Sequence, residues 1–252
     1  MSLASPDGTT DDTVEVAGRE VTFPVTVRDA SSASAAFVVP AGRAQDLLAP
    51  EAFEVVEFFP GRTLLSIAAI DYRDNDLGDY NEVSIALFVR MPGTAPRSFA
   101  RLGALRALAR NEVSTYIAWL PVDQEFTREA GAKLWGFPKT VEKIDFETND
   151  KSISCKLTAG DRHVLTLDAF RGGRKELPES TMRTFTVLYG WPHSTEFRSR
   201  ATGFGARLGG AKITLGDHPF AAKLRALGLP KRPLFTAWME HMHATFAPAE
   251  LL

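Results

Sequence analysis

One cysteine, Cys155, is all the thiol the 252 residues carry. No internal disulfide can form, no CxxC pair exists, and no second thiolate is on hand for a structural zinc. Nothing calls for an oxidising compartment. Basic excess is missing too: 29 Lys and Arg against 31 Asp and Glu leave a net charge of −2. That supplies neither the counterion release that drives nucleic-acid binding nor the pull of an anionic membrane surface. No apolar run approaches the ~20 residues needed to span a bilayer, and the longest, 83–89, is strand-sized. The first 13 residues are polar and acidic, without the cationic start and apolar core of a signal peptide, and read as a loose tail. These absences point to a cytoplasmic protein with no nucleic-acid or membrane partner.

What is there is an ordinary globular composition, 44% apolar and 24% charged, cut into short β-rich runs by turn residues. The alternation predicts strands over 15–27, 35–39, 53–59, 63–71, 81–91, 114–121, 140–148, 152–158, 163–169, 183–189, 194–201, 211–215 and 233–246. Helices are predicted over 42–48, 98–110, 124–135 and 219–227. So many strands without repeating βαβ units favour an all-β or α+β fold, and the need to hide sheet edges favours a closed barrel or two packed sheets. No linker divides the chain, so one domain is expected over 14–247.

Several familiar motifs fail. The glycines of 203–210 lack the third glycine of a dinucleotide fingerprint, and Ala211 displaces Lys212 from a P-loop register, so the cluster reads as a turn. Asp71, Asp74, Asp76 and Asp79 resemble a calcium loop, but Ile85 stands where the bidentate glutamate belongs, leaving a solvated hairpin. His241 and His243 share one strand face, yet two nitrogens make only half a tetrahedral metal site. His218-Pro219 reads as a helix start. Arg97, Arg101, Arg106 and Arg110 read as the wet face of a helix that could alternatively hold an anion. No GxSxG elbow exists, and Cys155 has no histidine nearby, so serine or cysteine nucleophilic chemistry finds no support.

The informative stretch is 122–140, VDQEFTREAGAKLWGFPKT. Asp123 is placed to cap a helix, Phe126, Ala130 and Leu134 form its apolar stripe, and Gly136 with Pro138 stops it. Pro138 stiffens the elbow from which Lys139 emerges between Trp135 and Phe137. On pattern alone Lys139 reads as a loop lysine snorkelling over aromatic surface.

This segment resembles the acetoacetate decarboxylase family, whose members carry a short helix followed by an aromatic-Pro-Lys-Lys turn. The family's Schiff-base lysine matches Lys139, and the register holds from Val122 through Thr140 without a gap. A second family feature, a Tyr-x-Glu whose carboxylate faces the lysine, matches Tyr80-Asn81-Glu82. By position alone Arg28 stands for the family's N-terminal active-site arginine. Two departures stand out: the family's second lysine is Thr140 here, and its Gly-Arg-Glu reads Gly131-Ala132-Lys133.

The resemblance implies an α+β, mostly antiparallel fold closed into a β-cone or barrel with a few short helices, a homo-oligomer, no metal or organic cofactor, and a small oxo-acid substrate bound near Tyr80, Trp135, Phe137 and Arg28. A lysine attacks carbonyls only as a neutral amine, and at a pKa of about 10.4 only about 0.04% is neutral at pH 7. The family's second lysine is credited with depressing the nucleophile's pKa, but burial alone can lower a lysine pKa by as much as about 3–5, so an apolar pocket could suffice and Thr140 is not fatal. The imine of Lys139 would be an electron sink for decarboxylation of a β-keto acid, with Glu82 stabilising the cation or moving a proton. Aldol or dehydration chemistry on an α-keto acid would use the same lysine. A catalytically silent member that merely binds a small ligand is the third reading.

Overall fold

The computed structural model describes residues 13–48, 52–93 and 113–252. The helix expected over 98–110, with its arginines, lies outside the described residues, as does the tail to residue 12. In chain order the strands are β1 (Thr13–Val16), β2 (Arg19–Thr22), β3 (Val25–Pro40), β4 (Glu54–Val55), β5 (Arg62–Asn75), β6 (Tyr80–Arg90), β7 (Ser114–Val122) and β8 (Lys139–Val141). There follow β9 (Lys143–Thr148), β10 (Ser152–Ala159), β11 (Arg162–Phe170), β12 (Lys175–Leu188), β13 (Trp191–Leu208), β14 (Ala211–Leu215) and β15 (Phe235–Leu251). Three helices interrupt them: α1 (Ala41–Gln45), α2 (Glu125–Trp135) and α3 (Pro219–Leu227).

Seven strands close on themselves in the order β6-β5-β3-β15-β13-β12-β7, with β7 pairing back onto β6. Pairing in this ring is antiparallel except between β12 and β7. Closure removes the edges that a wide sheet would expose. β8 attaches in parallel to the outside edge of β7, pairing Leu120 with Lys139. A second sheet, β14-β11-β10-β9, and the β1-β2 hairpin stand apart from the barrel sheet. The result is the expected mostly antiparallel α+β barrel.

Period-2 alternation explains how the two sheets meet. β3, β5 and β6 turn Phe37, Leu65, Ile67, Val83, Ile85 and Leu87 outward, where they pack with Leu157, Leu165, Leu167 and the α3 leucines Leu224 and Leu227 into the largest core. Their other face looks into the barrel. Cys155 is buried in the same outer core, and burial pushes its thiol well above the ordinary range.

Several boundaries differ from expectation. The predicted strand 15–27 is broken into a hairpin and the start of β3, because Ala17 and Gly18 both take positive φ and turn the chain. The predicted 140–148 strand divides into β8 and β9. The glycines of 203–210 are only in part a turn: Gly203 and Gly205 lie within β13, and Gly209 and Gly210 follow it. A Cβ on Gly205 would sit 2.5 Å from the Gly172 carbonyl oxygen, and one on Gly203 would sit 2.6 Å from Cβ of Glu240. Close backbone approach, not reversal, demands glycine there. Pro219 does open α3, and His218 caps it by accepting from the Phe220 amide at 3.2 Å through Nδ1.

Candidate active site

A cavity of about 280 Å³ occupies the barrel interior. Lys139 reaches it from β8. The route begins in α2, whose stripe buries Ala130 and Leu134 and packs Phe126 against the same cluster. Gly136 ends the helix in the left-handed region at φ 70°, sending its amide to the Ala132 carbonyl, and the Phe137 amide returns to that of Gly131. A Cβ on Gly136 would press at 3.1 Å on Leu188 and on the Val187 carbonyl, so the turn is both strained for other residues and crowded. The chain then reverses at Pro138, whose carbonyl accepts from the Leu120 amide at 3.2 Å, and Lys139 joins the sheet.

The lysine side chain is 3% exposed, and its Nζ lies 2.9 Å from Oε2 of Glu82, itself 8% exposed. Tyr80 offers its ring face 5.1 Å from the same nitrogen. Trp135 stacks on Phe137 at 5.7 Å and donates from Nε1 to the Ala247 carbonyl at 2.8 Å, which fixes the aromatic wall. Lys139, Glu82, Tyr80, Trp135 and Phe137, chosen from the sequence, thus all line one cavity.

Arg28 does not join them. Val25 and Val27 point into the barrel, so Arg28 points out, where it donates to Asp74 at 2.8 Å and to Asp76 at 2.5 Å. The two carboxylates raise its pKa further. The "calcium loop" acids are therefore, in part, its partners. Asp123 also departs from expectation. Gln124 occupies the N-cap of α2, and Asp123 instead accepts from the Asn81 backbone and side-chain amides, both at 2.9 Å. That clamp holds Asn81 outward and so turns its neighbours Tyr80 and Glu82 inward.

Three contributors escaped sequence reasoning. Tyr72, paired with Tyr80 across β5 and β6, stacks on it at 4.5 Å and donates a long 3.4 Å hydrogen bond to Oε1 of Glu82. Burial, reinforced by the Glu82 charge, pushes both phenols well above their ordinary range, so they stay protonated. Gly131 is the second: a Cβ there would fall 2.5 and 2.6 Å from Cδ and Cε of Lys139. The helix glycine is the groove through which the lysine stem passes. The third is a set of inward Ser and Thr side chains on β3, β5, β6, β7 and β12. The Tyr72 signal was available as the cross-strand partner of Tyr80; the glycine groove was not, because it needs two elements in contact.

Thr140 resolves the departure from the two-lysine pattern. Its side chain lies on the opposite face of β8 from Lys139 and accepts from Nε1 of Trp119 at 2.9 Å, next to Phe220 and His218. A residue at 140 is directed away from the cavity. Among the described residues no three His, Cys, Asp or Glu side chains gather in a way that could hold a metal ion.

A family model described as acetoacetate decarboxylase matches residues 15–248. Among solved structures, an acetoacetate decarboxylase from Legionella pneumophila subsp. pneumophila str. Philadelphia 1 superposes with a TM-score of 0.64 at 16% identity, covering 100% of this chain and 98% of its own. The enduracididine biosynthesis enzyme MppR, complexed with pyruvate, gives 0.59 at 15% over 92% and 91%. An acetoacetate decarboxylase-like enzyme from Sphingomonas wittichii RW1 gives 0.55 at 13% over 95% and 97%. At such identities the likeness establishes the fold. No curated protein matches the chain.

Proposed function

The chain belongs to the acetoacetate decarboxylase family, and on that premise we propose that it is a Schiff-base enzyme of the lyase type acting through Lys139. The observation that carries this reading is the buried pair: an amine 3% exposed, 2.9 Å from one carboxylate, at the wall of an otherwise largely apolar cavity. Glu82 accepts a proton along that contact, which frees the Lys139 lone pair. The nitrogen adds to the substrate carbonyl carbon, the oxygen leaves as water after taking two protons, and a protonated imine remains beside the Glu82 carboxylate.

From the imine, electrons of a neighbouring bond flow onto nitrogen. Loss of CO2 from a β-keto acid breaks a C–C bond and leaves an enamine that is reprotonated at carbon. Loss of an α-proton to Glu82 from the imine of an α-keto acid leaves an enamine that keeps its carboxylate and adds to an aldehyde carbonyl in an aldol step. The α-keto alternative draws support from the pyruvate in the MppR structure. Tyr72 and Tyr80, held protonated, orient Glu82 and cover the imine cation with a ring face.

Borohydride reduction in the presence of acetoacetate, pyruvate, acetopyruvate or a simple ketone, followed by peptide mass spectrometry, tests this reading. The expected result is a substrate-derived mass increment on Lys139 that Lys139→Arg abolishes. A folded protein that gains no adduct with any of these carbonyl compounds is instead a non-catalytic ligand-binding member of the fold.

A further inference from the structure

The wall of the barrel opposite Glu82 has a chemistry of its own. In the seven-strand ring, β15 and β13 stand across from β6. They turn Met239, Met242, Phe197 and Phe246 to the cavity. Strict alternation would not put both methionines there, because residues an odd number of positions apart face opposite sides of a regular strand. Met239 pairs with Ser32 and Met242 with Ala30, so three steps along β15 answer two along β3. The extra residue is a β-bulge, a device that re-aims side chains and recurs beside active sites. Here it brings a second thioether into the cavity. Met239 also shares one paired row with Ser32, Ile70 and Glu82.

The rings of this wall connect to the lysine elbow. Phe137, just before Pro138 and Lys139, stacks on Trp135 at 5.7 Å. Trp135 meets Phe246 at 5.7 Å, and Phe246 meets Phe197 at 4.7 Å. All four rings line the cavity. Met239, Phe197 and Phe246 are only partly buried against the cluster that holds Met242, Trp135, Phe137 and Tyr80, which leaves apolar surface on the cavity side. Thioether sulfur and tilted rings are the partners that a further aromatic ring prefers. Room suffices as well: an apolar cavity of about 150 Å³ already accepts benzene, and this one holds about 280 Å³.

Resting on the imine reading above, we propose that Met239, Met242, Phe197 and Phe246 form a subsite for an aromatic group. The substrate is then an oxo acid whose carbonyl bears an aryl-substituted chain where acetoacetate and pyruvate bear a methyl group. Its carbonyl carbon is held at Lys139 while the aryl group crosses to the β13–β15 wall. The bonds made and broken at the imine are unchanged; the subsite selects the substituent.

The test is borohydride trapping on wild-type protein with pairs that share the reacting group and the carboxylate. Acetoacetate is set against 3-oxo-5-phenylpentanoate, and 2-oxobutanoate against 2-oxo-4-phenylbutanoate, with 2-oxodecanoate as the alkyl control of equal carbon count. Half-saturation of labelling on Lys139 should be lower by about 10-fold or more for each phenyl acid than for its small partner, the factor expected when a group of that size leaves water. It should also be lower than for the alkyl control. Met239→Gln, near in shape but polar, should remove most of the phenyl preference, and Met239→Leu should retain it; thermal unfolding verifies that both are folded, and the wild-type series stands without them. A second readout needs no imine: 4-phenylbutanoate, which has no ketone to attack, should slow peroxide oxidation of Met239 and Met242 relative to Met91, which packs on the outer core, whereas butanoate should not. Equal half-saturation within both pairs overturns the subsite and leaves the imine reading intact. An alkyl control that matches the phenyl acid overturns the aromatic assignment. Protection by 4-phenylbutanoate without labelling by any acid removes the imine reading and leaves the subsite as the ligand site of a non-catalytic member. Absence of both labelling and protection overturns both.

Discussion

β5 and β6 face two interiors that differ mainly in side-chain volume. Toward the second sheet they present Leu65, Ile67, Val83, Ile85 and Leu87, each essentially without solvent exposure and packed solid against Leu157 and Leu165. Toward the barrel axis the residues between them are Ser66, Ala68, Ser84 and Ala86, and a cavity of about 280 Å³ remains. The period of 2 lets one strand serve both purposes: large side chains on one face hold the fold, and small ones on the other leave room for chemistry. Charge enters the inner face at the Lys139–Glu82 pair, where a charged contact is buried, its side chains 3% and 8% exposed.

That pair yields the largest expected effect. Glu82→Gln leaves the Lys139 ammonium buried without a counter-charge, which typically destabilises by about 3–5 kcal/mol. Urea unfolding should show it, and borohydride trapping on the folded fraction should fall as well. A loss of trapping without loss of stability would mean that the pair is not desolvated as described.

Leu87→Ala probes the other face. Truncating a fully buried leucine costs about 2–5 kcal/mol, yet the folded variant should label at the wild-type rate, because Leu87 points away from the cavity. Ser84→Ala should cost under about 1 kcal/mol, as expected for a site that already borders a void. Equal costs for the two would erase the distinction between the faces.

Gly131→Ala sharpens it further. Alanine favours a helix interior by up to about 1 kcal/mol over glycine, but here its Cβ would intrude on the Lys139 stem. Stability should change little, while the rate of imine trapping falls about 10-fold or more as Nζ moves off its 2.9 Å contact with Glu82. Unchanged trapping would show that the stem is free to take another path.

The smallest effect concerns the outer surface of the barrel. Partial burial of Asp29 is outweighed by hydrogen bonds from Arg73 and His241, which hold its carboxyl below the ordinary carboxylate range. Such a group contributes stability that is fully present above its unfolded pKa and is lost as pH falls through the folded one. Asp29→Asn should therefore lower stability at pH 7 by no more than about 1 kcal/mol, given one-third exposure, and the difference from wild type should vanish in acid. A difference that grows in acid would reverse the assigned sign.

Much of this was legible in the chain. The strand count and sparse helices pointed to a closed barrel or packed sheets, the family resemblance to closure, and α3 was read with both its ends in place. The aromatic-Pro-Lys elbow and Tyr-x-Glu identified residues that the fold does bring to one cavity, 57 positions apart in sequence. What the chain concealed depends on contact between elements. Asp123 looks like a cap because caps are local, whereas its partner Asn81 arrives from β6. Arg28 was assigned by position in the chain, but strand phase decides direction, and one residue's shift reverses it. Gly131 carries no local signature of its role, since only the packed lysine reveals the groove.

Carbonyl oxygen exchange is the most direct measurement of the central claim that Lys139 forms an imine, because water departs when the imine forms and returns when it hydrolyses. A ketone labelled with ¹⁸O should lose its label to solvent water far faster with wild-type protein than with Lys139→Arg at equal concentration. Washout at the buffer rate with the wild-type protein, or washout undiminished in Lys139→Arg, would contradict the account.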